Sequence, residues 1–332
     1  MAVNFLIAIK DGALKGLKTA LMLYRIVLPV FFIVAIIGHT DLYLWIADKL
    51  EPAMRIFGLP GEAVVPLIVG VFSDEYAVSA AMSPFSFNQA QITIVAMIIL
   101  YFHSIPIETV VSRKIGIPPL KIAIFRFIMA IITGIIVANL AAVFLGGTPP
   151  SLQPLPLGEA YSTAPLFSGS FGFDKEFILL LPELGLGVLN MALTLLKVLI
   201  PMMIVIELMF MYNIVEKLAK KLSPICRLFG ISQAAVLPLL IGFLLGITYG
   251  VGAIMELNKK TPLSSRDLWM LGVFLFSCHG IIETTYLFTV TGGSAIFIAG
   301  LRLLIAVVVT MIMARLPFPK ENRNSLPISI NK

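Results

Sequence analysis

Two short stretches set a histidine close to a glutamate inside long apolar runs: His103-Ser104-Ile105-Pro106-Ile107-Glu108 and His279-Gly280-Ile281-Ile282-Glu283. Ionisable groups in hydrocarbon are costly, so those retained there meet a partner, a wet cavity or a ligand. The second spacing, i to i+4, puts both groups on one helix face. In the first, Pro106 and one extra residue imply a bulge that restores the same face. Five acids lie in such surroundings: Asp74, Glu75, Glu108, Glu207 and Glu283. Three arrangements fit these groups. Carboxylates and imidazoles could hydrogen-bond a small polar solute. Two His and two Glu could hold a transition metal. Alternatively, Glu108 with Arg126 and Glu283 with Arg302 could simply neutralise each other. The solute site is taken forward, with no metal and no cofactor assigned. Its binding residues are His103, Glu108, His279 and Glu283, lined further by Asp74, Glu75, Tyr76, Thr248 and Tyr249, with Arg126 and Arg302 in structural ion pairs. His39 has no counterpart and receives no role. A buried glutamate or histidine that titrates would suit coupling to a proton. The sequence holds no Ser/His/Asp set, HExxH or phosphate loop, so no enzyme is expected.

These residues sit in matching places because the chain repeats itself. Leu50-Glu51-Pro52-Ala53-Met54-Arg55-Ile56-Phe57-Gly58-Leu59 returns as Leu222-Ser223-Pro224-Ile225-Cys226-Arg227-Leu228-Phe229-Gly230-Ile231, at an offset of 172. Pro29 then falls on Pro201, Pro66 on Pro238 and Gly70 on Gly242. After one inserted residue Tyr76 meets Tyr249. Further on, His103 meets His279, Glu108-Thr109 is matched to Glu283-Thr284, and Arg126 meets Arg302. Each half reads as a long apolar helix (19–40, 186–212), an amphipathic segment (41–57, 213–229), and a Gly/Pro-interrupted stretch (60–82, 232–256). A His/Glu helix (91–112, 267–290) and a last apolar helix (119–146, 295–315) follow. Interrupted apolar segments at matching places in two halves mark a solute site, because their free backbone groups need protein or ligand partners.

Composition agrees with lipid as solvent. Of 332 residues 59% are apolar and 13% charged, and the mean hydropathy is +1.00; soluble domains carry about 25% charged residues. The net charge of +6 comes from basic residues clustered between apolar runs, which reads as membrane topology and not nucleic-acid binding. Cys226 and Cys278 form no CxxC and no repeat pair, which argues against a disulfide framework or zinc ribbon. Residues 1–18 read as an amphipathic interfacial helix without a cleavage site.

Charges give the topology. The linker 147–185 has Lys175 against Glu159, Asp174, Glu176 and Glu183, and is expected outside. Lys10, Lys15 and Lys18 at one end, and Arg315, Lys320 and Arg323 at the other, put both termini in the cytoplasm. Each half then crosses an odd number of times, so the halves are inverted. The expected fold is an all-α polytopic membrane protein of two inverted-topology repeats, each with three transmembrane helices, one re-entrant hairpin and an amphipathic interfacial helix. A second count breaks the His/Glu helix as well and keeps the odd parity. The organisation is a first repeat at 1–146, an extracytoplasmic linker at 147–185, a second, inverted repeat at 186–316 and a cytoplasmic tail at 317–332.

The hairpin FGLPGEAVVPLIVGVFSDEYAVSAAM with HSIPIETVVSRKIG, and the second copy FGISQAAVLPLLIGFLLGITYGVGAIM with HGIIETTYLF, resemble the nucleoside recognition or Gate domain family. Similar domains occur in concentrative nucleoside transporters, in the membrane part of ferrous iron transporter B and in spore maturation proteins A and B. The resemblance covers roughly 15–145 and 186–315 and is that of a two-copy, stand-alone chain. It implies a secondary transporter or permease of the cell membrane, moving a nucleoside-like or other small polar solute by alternating access. Its partners would be the solute, the bilayer and a coupling ion, proton or sodium, with room for a homo-oligomer. A non-transporting scaffold or sensor is the alternative class, and a divalent metal transporter a further one.

Overall fold

In lipid a helix satisfies its own backbone, so the apolar runs of this chain can cross only as helices. The computed structural model describes residues 2–37, 41–146, 175–228, 230–260 and 263–316. Among these residues it contains helices and no strand. The first half comprises α1 (Ala2–Ile37), α2 (Asp41–Arg55), α3 (Val64–Phe72), α4 (Glu75–Met82), α5 (Gln89–Phe102), α6 (Ile105–Lys114) and α7 (Pro119–Phe144). The second repeats the series as α8 (Lys175–Met211), α9 (Ile214–Leu228), α10 (Val236–Leu245), α11 (Ile247–Lys260), α12 (Ser265–Ser277), α13 (Ile281–Val290) and α14 (Arg302–Arg315). A π-helical turn, Ile296–Leu301, leads into α14.

Six segments are long and apolar enough to span a bilayer, three from each half: Phe5–Val34, Gln89–Lys114, Pro119–Phe144, Gly185–Met211, Ser265–Val290 and Ile296–Arg315. Each half adds a shorter apolar helix, within Gly61–Phe72 and Gln233–Leu245. That helix folds back through α4 or α11 as a hairpin. The helix is too short to span, since crossing takes about 20 residues.

The halves run in opposite directions. Along α1 and α8, which make the most extensive helix contact, Gly12 lies against Ile204, Gly16 against Ile200 and Gly187 against Phe31. The Tyr24 hydroxyl donates to Ala192 O at 2.8 Å, and Lys15 pairs with Glu207 at 2.6 Å. From Gly12/Ile204 through Gly16/Ile200 and Tyr24/Ala192 to Phe31/Gly187 one number rises as the other falls, so the two helices are antiparallel. A Cβ on Gly12 would stand 2.6 Å from the Ile204 Cα, and one on Gly16 2.7 Å from the Ile200 Cα. Small residues one turn apart thus let two backbones touch. The same reversal holds for the His-bearing helices. Ile92 meets Gly292 and Gly293 at one end, Gly116 meets Leu268 at the other, and Ser294 N–H donates to Thr93 Oγ1 at 2.9 Å.

Three expectations are revised. Residues 2–18 do not form a separate interfacial helix but continue into the first span, because apolar Phe5, Leu6 and Ile7 carry the run back toward the terminus. Residues 175–185 belong to α8 and not to the linker; 147–174 lie outside the described residues, as does the tail 317–332. The His/Glu helices are each broken, as α5/α6 and α12/α13, while remaining one span apiece.

Candidate functional site

Both breaks are built identically. Ser104 (φ 48°) and Gly280 (φ 57°) adopt the left-handed conformation, which ends one helix and starts the next. The amide exposed at the break donates into the hairpin of its own half. Ser104 N–H reaches Gly70 O at 2.9 Å, and Gly280 N–H reaches Gly242 O at 3.1 Å. Gly70 and Gly242 permit this approach, because a Cβ there would collide with Ile99 at 2.4 Å or Leu275 at 2.7 Å. Backbone groups freed within the membrane are thus satisfied by protein.

The residue before each break is a histidine. His103 Nδ1 lies 2.9 Å from Ile99 O, and His279 Nδ1 lies 2.7 Å from Leu275 O. A carbonyl only accepts, so Nδ1 carries the hydrogen on both rings and each Nε2 faces the axis. The two ring centroids are 5.4 Å apart. Glu108 Oε1 sits between them, 3.1 Å from His103 Nε2 and 3.6 Å from His279 Nε2. Glu75 Oε2 lies 3.5 Å from His103 Nε2. All but Glu75 are buried.

Two fully buried arginines brace the breaks from behind. Arg126 Nε donates to Tyr101 O at 2.8 Å and its Nη2 to His103 O at 2.9 Å, while Nη1 pairs with Glu108 Oε2 at 2.6 Å. Arg302 Nε donates to Ser277 O at 3.0 Å, and its Nη1 donates to Thr284 Oγ1 at 3.0 Å. Its Nη2 finds no partner among the described residues.

This geometry corrects the register of the repeat. Histidines, left-handed residues, helix starts at Ile105 and Ile281, and arginines all keep one constant offset. Glu108 therefore corresponds to Thr284, and Glu283 to Ile107. No bulge separates His103 from Glu108; Pro106 lies in the first turn of α6, where its missing N–H costs nothing. His279 is outside α13, so it and Glu283 do not share a helix face. Arg302 pairs with Thr284, and not with Glu283 as expected. Glu283 instead accepts a hydrogen bond from the Tyr76 hydroxyl of the opposite half.

A cavity of about 220 Å³ opens on this cluster. Glu75, His103, Glu108, His279, Glu283 and Tyr249 line it, with Leu245, Gly246 and Ile247 of the second hairpin. Among the described residues its ionisable lining is carboxyl, imidazole and phenol, without a lysine or arginine. Tyr76 is buried behind Glu283 and does not line it. Asp74 does not line it either: its carboxylate caps α4 by accepting from Ala77 N–H at 2.9 Å. The Thr248 side chain lies outside the described ones. Sequence reasoning missed Ser104, Gly280 and Thr284. The signal for the first two was their place directly after matched histidines.

The nucleoside recognition (Gate) family profile matches residues 20–118 and 192–292. The chain is 28% identical over 303 residues to the uncharacterized membrane protein YvoD of Bacillus subtilis, covering 91% of this chain and 93% of that protein. It is 29% identical over 116 residues to the Fe(2+) transporter FeoB of Legionella pneumophila (strain Paris), covering 30% of this chain and 15% of that protein. No solved structure matches the chain significantly. With both matched segments centred on the hairpins and breaks described above, the chain belongs to the nucleoside recognition (Gate) family.

Proposed function

We propose that this protein is a secondary carrier or permease that binds a small polar, hydrogen-bond-donating or cationic solute in the cavity on the pseudo-two-fold axis. The observation that carries the reading is the cavity itself, lined by carboxyl and imidazole groups where two antiparallel broken helices meet. Such helices, meeting between inverted halves, are the pattern of alternating-access carriers. Family membership and the similarity to an Fe(2+) transporter support movement of a solute and give no support to catalysis. His103, Glu108, His279, Glu283, Glu75 and Tyr249 are its proposed binding residues, and both termini are proposed to face the cytoplasm. A scaffold would need only a dry, salt-bridged centre, which the cavity speaks against.

Uptake into proteoliposomes holding the purified chain, against a panel of nucleosides, organic cations and metal ions, tests this. Saturable uptake lost in Glu283→Gln is the expected result. No panel solute crossing faster than into empty liposomes would overturn it. Reporter fusions at each terminus check the orientation.

A further inference from the structure

We infer that the axis site takes a divalent first-row transition metal cation, with His103 Nε2, His279 Nε2 and Glu108 Oε1 as ligands. This rests on the reading of the axis cavity as the solute site and names the class of solute. The three ligand atoms lie within 4.8 Å of one another, and all three residues are buried. With Nδ1 of each imidazole committed to a carbonyl, Nε2 is the nitrogen left to face the axis, and a bound cation would take the place of any proton between His103 Nε2 and Glu108 Oε1. Glu108 spends Oε2 on Arg126 and turns Oε1 inward. Two imidazole nitrogens and one carboxylate oxygen thus converge on one point, and once deprotonated they present three lone pairs to a cation.

Distances decide between a metal and a mere cluster. A tetrahedral ion with ligands at about 2.1 Å needs ligand atoms about 3.4 Å apart. The observed separations are 3.1 Å and 3.6 Å from Glu108 Oε1 to the two Nε2 atoms. A candidate fourth ligand atom, Glu75 Oε2, lies 3.5 Å from His103 Nε2. Both carboxylate–imidazole separations thus lie within about 0.3 Å of the tetrahedral value, and all three ligand atoms lie within 4.8 Å of one another. The supporting contacts are also those of metal sites, where the second imidazole nitrogen donates to a carbonyl and the ligating carboxylate is held by a further group. Two imidazoles disfavour Mg²⁺ and Ca²⁺, and the absence of sulfur ligands in the set disfavours Cu(I).

The test uses the full chain, stripped with EDTA and reconstituted in nanodiscs. Co²⁺ titration read by visible absorption should saturate at one ion per chain, be reversed by Zn²⁺ and be unaffected by Mg²⁺ or Ca²⁺. His103→Gln and His279→Gln should each weaken binding at least ~10-fold, as even loss of a supporting group does. Should either variant fail to fold, X-ray absorption of the wild-type Co²⁺ complex decides by the presence or absence of imidazole scattering. Absence of saturable Co²⁺ and Zn²⁺ binding, or binding indifferent to both substitutions, overturns the inference. An organic solute carried in EDTA by a chain that binds no metal would sink the metal site and leave the carrier standing. Metal bound but never carried would do the reverse.

Discussion

Replacing Glu108 by Gln tests the site at its most loaded contact. Arg126 is 1% exposed and pairs with Glu108 at 2.6 Å. Its bonds to Tyr101 O and His103 O stay intact in the variant, so Arg126 itself loses only its counter-charge, while the contacts of Oε1 with His103 and His279 pass to a neutral amide. Removing one partner of a buried ion pair costs about 3–5 kcal/mol. Glutamine retains a carbonyl acceptor, which places the expectation near the lower end, about 3 kcal/mol. Thr284→Val in the other half removes one neutral acceptor from Arg302, worth about 1.5–3 kcal/mol for a hydrogen bond to a charged group. Double-mutant cycles separate the two cases. Glu108→Gln with Arg126→Gln should show a coupling of about 2–3 kcal/mol, since contacting partners in one network do not add. Glu283→Gln with Arg302→Gln, the pair that a simple identity match suggests, should couple far less. Unfolding of purified protein in mixed detergent micelles, followed by circular dichroism, supplies the free energies. Additive effects for the first pair, or the larger coupling for the second, would refute the assigned register and the electrostatic reasoning together.

Other outcomes follow from the same geometry. Gly12→Leu and Gly16→Leu should each force α1 off α8 and destabilise by about 1–3 kcal/mol or more, visible as lower melting temperatures and aggregation on gel filtration. Gly280→Ala should cost only about 1–2 kcal/mol, the penalty of a left-handed non-glycine residue, because its Cβ would meet nothing closer than Gly246 Cα at 3.5 Å; a fold-destroying effect in the same melting assay would show that the break is more crowded than described. Tyr76→Phe removes the hydroxyl that donates to Glu283 and should cost about 1.5–3 kcal/mol in the unfolding assay. Thr93→Cys with Ser294→Cys, in a chain whose buried Cys226 and Cys278 are replaced by Ala, should form an intramolecular disulfide on mild oxidation, scored by gel mobility. Failure to cross-link would argue against the antiparallel arrangement of the His-bearing helices.

The architecture was legible because lipid leaves few choices. Long apolar runs had to be helices, and repeated Pro66/Pro238 and Gly70/Gly242 fixed where each half folds back. His103 with His279, and Arg126 with Arg302, were found from identity alone; the histidines come together at the axis and each arginine braces the break of its own half. The glutamates were misaligned by one residue. Matching Glu108-Thr109 to Glu283-Thr284 demanded two compensating shifts between the histidines and the arginines, while the backbone keeps a single spacing there. Identity of a charged side chain outweighed regularity of the helix, and the physical rule is the opposite: arginine reach and backbone hydrogen bonds set register, and the acid is free to change. Asp74 was assigned to the site by its charge, although Asp before a helix is above all a cap. The break at Ser104 was hidden because serine seldom takes a left-handed backbone; Gly280 was the visible half of that signal.

One consequence concerns energy balance between the two faces of the bilayer. In a protein whose halves were identical, exchanging the conformations of the halves would return the same molecule turned upside down, at no net free energy. Here, among the described residues, Arg126 meets a carboxylate, whereas Arg302 meets a hydroxyl and a backbone carbonyl and no carboxylate. Any rocking of one half against the other therefore moves an unevenly charged pair of fulcrums. For the carrier proposed above, the inward- and outward-facing forms would then differ in free energy, and the empty protein would rest with one mouth open more often than the other.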